Sequence, residues 1–242
     1  MVKDRVVVIT GGGTGIGSGI ARSLAEAGAK VHILGRRVEP LLAVAALIDS
    51  PHPILTHCVD VGDRDAVNAM FASIVAISGP IDILVNSAGM NIPNRSMAEM
   101  RPEQWDEVLQ VNVTGTYNAM HAVLPSMRSR HSGLIVNISS VAGKRAIQLG
   151  GIAYAASKFA VTALGTATAN EVRGEGVRVT NIYPGEVNTP LLDKRPVPVS
   201  QEHRDSILQP EDVGALVLMI ASLPPRAHIP EVVIKPTKQE WV

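Results

Sequence analysis

The sequence predicts a single α/β domain built on a doubly wound, seven-stranded parallel sheet with helices on both faces, and three observations carry that expectation. Seven short apolar runs alternate with longer segments of helical period. Most of the short runs are continuously apolar rather than alternating, as strands are when helices cover both faces of a sheet. The first run, Val6 to Thr10, leads straight into a glycine-rich turn, Gly11 to Gly17, which precedes a helical pattern. Such a turn is where an open α/β sheet receives a ligand's phosphates.

Taken in order, the strand candidates are residues 5–10, 30–34, 54–59, 81–86, 133–139, 177–183 and 231–235. Between them the helical period marks 16–28, 38–49, 63–78, 102–130, 152–173 and 210–223. The segment 184–209 contains four prolines and is too long for an ordinary connection. It follows the sixth strand, at the carboxyl edge of the sheet where such folds bind ligands, so it is expected to be a substrate lid rather than an unstructured excursion.

Composition narrows the class. A chain of 242 residues with 46% hydrophobic residues is long enough for one large core. Twenty-two basic and 22 acidic residues give zero net charge, so neither nucleic acid nor an anionic membrane is an expected partner. Cys58 is the only cysteine, which excludes an intrachain disulfide and fits a reducing compartment. The start of the chain shows no apolar core of a secretory signal, and no run approaches the ~18 apolar residues of a membrane span. A cytoplasmic location is expected, and no metal-ligand set is anticipated.

The glycine turn excludes two phosphate loops. A Walker loop needs lysine after its last glycine, and Ser18 follows Gly17. The strict G-x-G-x-x-G pattern fails in every register. What fits is a wider spacing, Thr10-Gly11-x-x-x-Gly15-Ile16-Gly17, whose glycines let backbone approach a pyrophosphate while the following helix offers free N–H groups.

That spacing resembles the short-chain dehydrogenase/reductase family, and the resemblance runs along essentially the whole chain. It includes Asp60-Val61, Asn86-Ser-Ala88-Gly89, Asn112, Ser139-Ser140-Val-Ala-Gly143, Tyr154-x-x-x-Lys158 and Pro184-Gly185. It implies a single Rossmann-type NAD(P)-binding domain over 1–242 and an oxidoreductase acting on CH–OH groups. The tail from Leu223 is similar to the branch of 3-hydroxy-acid (serine-type) dehydrogenases and clavulanic-aldehyde-type reductases.

The residues themselves support that chemistry. Tyr154 and Lys158 are spaced i, i+4 and share one helix face. A free tyrosine ionises near pH 10, and an adjacent ammonium favours its phenolate, so Lys158 is expected to tune Tyr154 as the acid/base. A serine at a strand end can hold the reacting oxygen. Ser139 and Ser140 compete for that place, and the resemblance selects Ser140. The Ser140–Tyr154 separation is about one residue longer than is usual, so the 144–151 loop is expected to shape the pocket differently. By resemblance, Asn112 completes a tetrad by holding a water that connects Lys158 to solvent.

Position and chemistry point to NADP(H) rather than NAD(H). About twenty positions beyond the glycines, where a carboxylate would bind the ribose of NAD, stand Gly35, Arg36 and Arg37. A guanidinium suits a 2′-phosphate, with Arg36 the first contact and Arg37 the second. The resemblance adds Gly11, Gly13, Thr14, Gly15, Ile16, Gly17, Val61, Asn86, Ala88, Gly89, Tyr154, Lys158, Pro184, Gly185, Val187 and Thr189 as cofactor contacts. Asp60 either meets the adenine or caps the helix that starts near Asp63. Glu186 meets either a polar substrate or solvent. The alanines around Tyr154 allow close helix packing, either in a homodimer or homotetramer or onto the chain's own sheet. The expected function is NADP(H)-dependent interconversion of a small alcohol and its carbonyl, whether ketone, aldehyde or 3-oxo/3-hydroxy acid. The alternative is a catalytically silent NADP(H)-binding sensor or scaffold.

Overall fold

The computed structural model describes residues 2–240, so Met1 and the last two residues of the tail, Trp241 and Val242, lie outside the described residues. The strands are β1 (Val6–Thr10), β2 (Lys30–Gly35), β3 (Leu55–Cys58), β4 (Ile83–Asn86), β5 (Gly133–Ile138), β6 (Val177–Pro184) and β7 (Glu231–Ile234). The helices are α1 (Gly15–Glu26), α2 (Val38–Leu47), α3 (Arg64–Ser78), α4 (Pro102–Leu109), α5 (Gly115–Ser129), α6 (Ile152–Glu171), α7 (Gln201–Ser206) and α8 (Pro210–Ser222). All seven strands pair in parallel in the order β3-β2-β1-β4-β5-β6-β7. The order reverses between β1 and β4, which opens a crevice at their carboxyl ends.

Two hydrophobic layers sandwich the sheet, and alternate residues of each strand feed them. Val7 and Ile9 of β1 join Ile20 and Leu24 of α1 and Val213, Val217 and Ile220 of α8 on one face. Val6 and Val8 join Val67, Phe71 and Ile74 of α3 and Met120, Val123 and Met127 of α5 on the other. The central strands are apolar on both sides because both sides are buried, and each fully buried Val, Ile or Leu stabilises the fold by roughly 1.5–3 kcal/mol.

Two segments depart from the sequence expectation. The predicted helix over 102–130 is interrupted by a π-helical turn, Gln110–Thr114, which separates α4 from α5. Apolar periodicity continues through it, so the sequence pattern does not reveal the extra residue in the turn. Packing favours the widened turn: a Cβ on Gly115 would lie 2.5 Å from Val61 Cγ2, and Thr116 Oγ1 donates to the carbonyl of Asn112 at 2.8 Å. π turns of this kind concentrate at functional sites. The segment 184–209 builds local structure, a 3-10 turn at Pro190–Lys194 and α7. Its base is closed where Asn188 N donates to Leu208 O at 2.7 Å and Leu208 N to Glu186 O at 3.2 Å.

On the β2–β3 edge, His32 is fully buried and hydrogen-bonds through Nδ1 to His57 Nε2 and through Nε2 to Ser78 Oγ, both at 2.9 Å. A neutral imidazole, with one donor and one acceptor, satisfies both of these contacts. Burial, then the nearby His57, lowers His32 to about 4. An unfolded His32 takes up its proton near pH 6.5, so this contribution to stability is complete above 6.5 and is lost as pH falls toward 4. Urea denaturation is expected to show stability falling by about 3 kcal/mol over that window through His32. His32→Gln should flatten the slope, and an unchanged slope would remove His32 as its cause.

Candidate active site

The site is assembled at the carboxyl ends of the strands. After β1 the backbone turns through Gly11, whose φ is +66°, a conformation that glycine adopts without strain. Gly17 packs so closely under this turn that a Cβ would lie 2.2 Å from Gly11 O. Thr14 precedes α1 without capping it through its side chain, and the first turn holds no acidic residue, so the helix's first N–H groups are left for an anion. Thr10 Oγ1 accepts from Ser87 N and Ala88 N at 3.2 and 3.1 Å, which ties the segment after β4 to the end of β1.

Beside this turn lies a cleft of about 160 Å³ walled by Gly11, Gly13, Thr14, Gly35, Arg36, Arg37, Asp60, Val61, Ala88 and Gly89. Arg36 Nη1 stands 3.9 Å from Asp60 Oδ2 across it, an exposed pair of little intrinsic strength. The two readings of Asp60 separate here. Asp63 caps α3 by accepting from Ala66 N at 3.0 Å, and Asp60 instead accepts from Gly62 N at 2.9 Å on the rim of the cleft. The Asn86 side chain is buried against the neighbouring strand, where Nδ2 donates to Asn137 Oδ1 at 2.9 Å and Oδ1 has no partner. It stands on an inward-facing register position of β4, which the run of motif residues does not reveal.

A second cavity of about 130 Å³ adjoins the turn, with Ile16, Ser140, Tyr154, Pro184, Gly185, Val187 and Thr189 in its walls. Ser140 lies just past β5; its Oγ accepts from Ala142 N at 3.1 Å, and its hydroxyl stands near enough to the Tyr154 phenol to favour the phenolate. Ser139 faces away, with Oγ donating to Lys158 O at 3.0 Å and lying 3.2 Å from Thr162 Oγ1. The geometry thus separates the two serines, leaving Ser140 beside the phenol.

Lys158 is buried and donates from Nζ to the carbonyl of Ile138 at 2.8 Å, 5.5 Å from the centre of the Tyr154 ring. Asn112, in the π turn, uses its whole amide. Oδ1 accepts from Met90 N at 2.8 Å, and Nδ2 donates to Met90 O at 3.0 Å and to Ser157 Oγ at 2.9 Å. Asn112 Oδ1 and Lys158 Nζ also converge on Gly89, where a Cβ would lie 3.6 Å from each.

Burial raises the Tyr154 phenol above the ordinary tyrosine value; the Ser140 hydrogen bond and the positive charge of Arg95 oppose it. Burial lowers the Lys158 ammonium to about 8. Arg95 thus adds a second positive charge near the phenol, while Lys158, beside the same ring, donates to a backbone carbonyl.

Arg95, Asn91, Arg195 and Gln239 also line this cavity. Sequence reading missed Arg95, Asn91 and Gln239 altogether and placed Arg195 only within the lid. No spacing rule marks them, because they come from irregular segments that meet only in the fold. Lys158→Met deletes a charge that burial disfavours and should raise Tm, by about 1–3 kcal/mol in stability; thermal unfolding checks it. A lower Tm would show that the ammonium stabilises the fold.

Against known proteins, the short chain dehydrogenase family profile matches residues 5–197. An uncharacterized oxidoreductase of Staphylococcus saprophyticus is 35% identical over 237 residues, covering 97% of this chain and 98% of that protein. The closed form of serine dehydrogenase complexed with NADP+ superposes with a TM-score of 0.89 at 31% identity, covering 98% of this chain and 96% of that one. An alcohol dehydrogenase from the archaeon Thermococcus sibiricus, complexed with 5-hydroxy-NADP, gives 0.88 at 25% identity over 98% and 99%. Among the described residues no helix is long and apolar enough to cross a membrane. With a matched profile over most of its length and its seven-stranded parallel sheet, the chain belongs to the short-chain dehydrogenase/reductase family of oxidoreductases.

Proposed function

We propose that this protein binds NADP(H) and interconverts a small alcohol with its ketone, aldehyde or 3-oxo acid, using Tyr154 as the acid/base. The observation that carries this reading is the meeting of Ser140 and Tyr154 in one cavity whose other walls, Ile16, Gly185, Val187 and Thr189, connect to the glycine turn. The residues fit the cofactor on three structural grounds. The N–H groups of α1 are free of side-chain caps, the cleft wall is lined by glycines where side chains would obstruct a ligand, and Arg36 and Arg37 stand where a 2′-phosphate would reach. Two structural neighbours carry NADP+ or an NADP derivative.

Bound NADP(H) supplies or accepts the hydride. Ser140 donates a hydrogen bond to the substrate oxygen and holds it beside Tyr154. In reduction Tyr154 gives its proton to the developing alkoxide; in oxidation it takes the hydroxyl proton. A phenol raised by burial stays protonated at neutral pH, so reduction should proceed there while the rate of oxidation climbs with alkalinity. Lys158 binds the cofactor's ribose and passes protons through a water held near Asn112. The segment 184–209 serves as the substrate lid. The exposed side of α6, with Phe159, Ala163 and Ala167, suits close packing with a second copy in a homodimer or homotetramer.

Tyr154→Phe should lower kcat by about 10²-fold or more while NADPH affinity changes by less than about threefold. NADPH absorbance with a carbonyl panel and fluorescence titration check the two parts. Full retained activity would refute the assignment, and tight binding with no turnover of any substrate by the wild type would favour the silent sensor. Gly35→Asp with Arg36→Ala should shift kcat/KM toward NADH. Space permits the aspartate, because a Cβ on Gly35 meets only Leu41 Cδ2 at an ordinary 3.5 Å. An unchanged preference would place the phosphate contact elsewhere.

A further inference from the structure

The cavity that holds Tyr154 is also lined by two guanidinium groups, those of Arg95 and Arg195. They come from different places: Arg95 from the connection between β4 and α4, Arg195 from the segment 184–209. Arg195 Nη2 is paired with Glu186 Oε2 at 3.2 Å, and the same carboxylate oxygen meets His203 Nε2 at 2.6 Å. Glu186 is thus engaged on its cavity side and is not a free receptor for a substrate cation.

Arg95 differs. Its Nε donates to Ile92 O at 3.0 Å, Nη1 to Leu149 O, and Nη2 to Lys194 O at 3.0 Å. Those three bonds use three of its five N–H groups and fix the guanidinium between three connecting segments. None of those partners is charged, and among the described residues no carboxylate pairs with Arg95. The nearby ion pair of Arg204 with Asp193 closes on itself at 2.6 Å. Around the cavity, then, two guanidiniums are set against one shared carboxylate, and the unbalanced positive charge lies within electrostatic reach of Tyr154 and Arg195.

A positive charge left half-buried and unpaired is costly unless a ligand neutralises it, and a fixed guanidinium with N–H groups to spare is suited to a carboxylate. We infer that the substrate is a small hydroxy or oxo acid whose carboxylate is held by Arg95, with Arg195 beside it, while its carbinol or carbonyl oxygen meets Tyr154 and Ser140. The inference rests on the hydride-transfer reading above and narrows its substrate class. Glu186, already doubly paired, keeps Arg195 in place rather than repelling the acid.

The test uses the full chain with NADP+, comparing 2-, 3- and 4-hydroxybutanoate with their methyl esters. For at least one isomer kcat/KM should favour the acid by about tenfold or more over its ester. Arg95→Met and Arg195→Met should each erase that preference by depressing the acid, and Arg95→Lys should restore part of it. The acid-to-ester ratio is the decisive readout, because disordered loops or a poorly positioned Tyr154 would slow both substrates alike. A wild-type ratio near or below one for every isomer overturns the inference. So does a ratio that survives both methionine substitutions, which would leave Arg95 acting on Tyr154 and the loops alone. Turnover of the esters or of neutral aldehydes without the acids sinks this inference and leaves the hydride-transfer reading standing. Absence of turnover with every hydroxy acid, ester and carbonyl, while NADPH still binds, removes both.

Discussion

The site depends on one buried charge. Lys158 places an ammonium at the carboxyl end of β5, where Ile138 O accepts its hydrogen bond at 2.8 Å. Nothing about an apolar interior welcomes that charge, and burial lowers it to about 8. Its position nonetheless fixes α6 against the sheet edge, because Lys158 lies on the helix face that also carries Tyr154 one turn earlier. The rest of the local structure secures this arrangement. Ser139 holds Lys158 O, Gly143 leaves room for the Lys158 backbone within 2.7 Å of a would-be Cβ, and Asn112 holds Ser157 from the neighbouring π turn.

Much of this was legible in the sequence because it follows from periodicity and chemistry that act locally. Continuous apolar runs marked most of the strands, since a strand buried on both faces has no polar side to show. The glycine spacing located the crevice because the turn folds on itself where no Cβ fits, as the 2.2 Å between a would-be Gly17 Cβ and Gly11 O shows. The tyrosine, lysine and serine converged because helical spacing and a strand end determine their directions. What sequence reading lost was set by contacts distant in the chain. The π turn at Asn112 is followed by Gly115, packed against Val61 where no Cβ fits, a contact that neither residue announces. The Asn86 side chain bonds Asn137 on the neighbouring strand, a partner that its motif does not name. Arg95 belongs to no periodic element, and its place in the cavity exists only once three connections meet around it.

The two clefts divide the chemistry. One is glycine-lined and flanked by Arg36 and Arg37, and suits a large anion that is gripped mainly by backbone and surface charge. The other, of similar size at about 130 Å³, gathers a phenol, a serine and two guanidiniums. In such a space electrostatic interactions are stronger than in water, so the charge of Arg95 can influence both the phenol and a bound substrate. The same segments that form this smaller cavity are irregular, and they are where members of a common fold acquire separate specificities.

The most direct test of the account follows the hydride itself. NADPH carrying deuterium at the transferable C4 position is incubated with the protein and a panel of short oxo acids and aldehydes, and the products are read by mass spectrometry and NMR. The account predicts one deuterium on the carbinol carbon of a reduced product. Reduced product lacking the label, or bound cofactor that delivers no deuterium to any carbonyl, would contradict it.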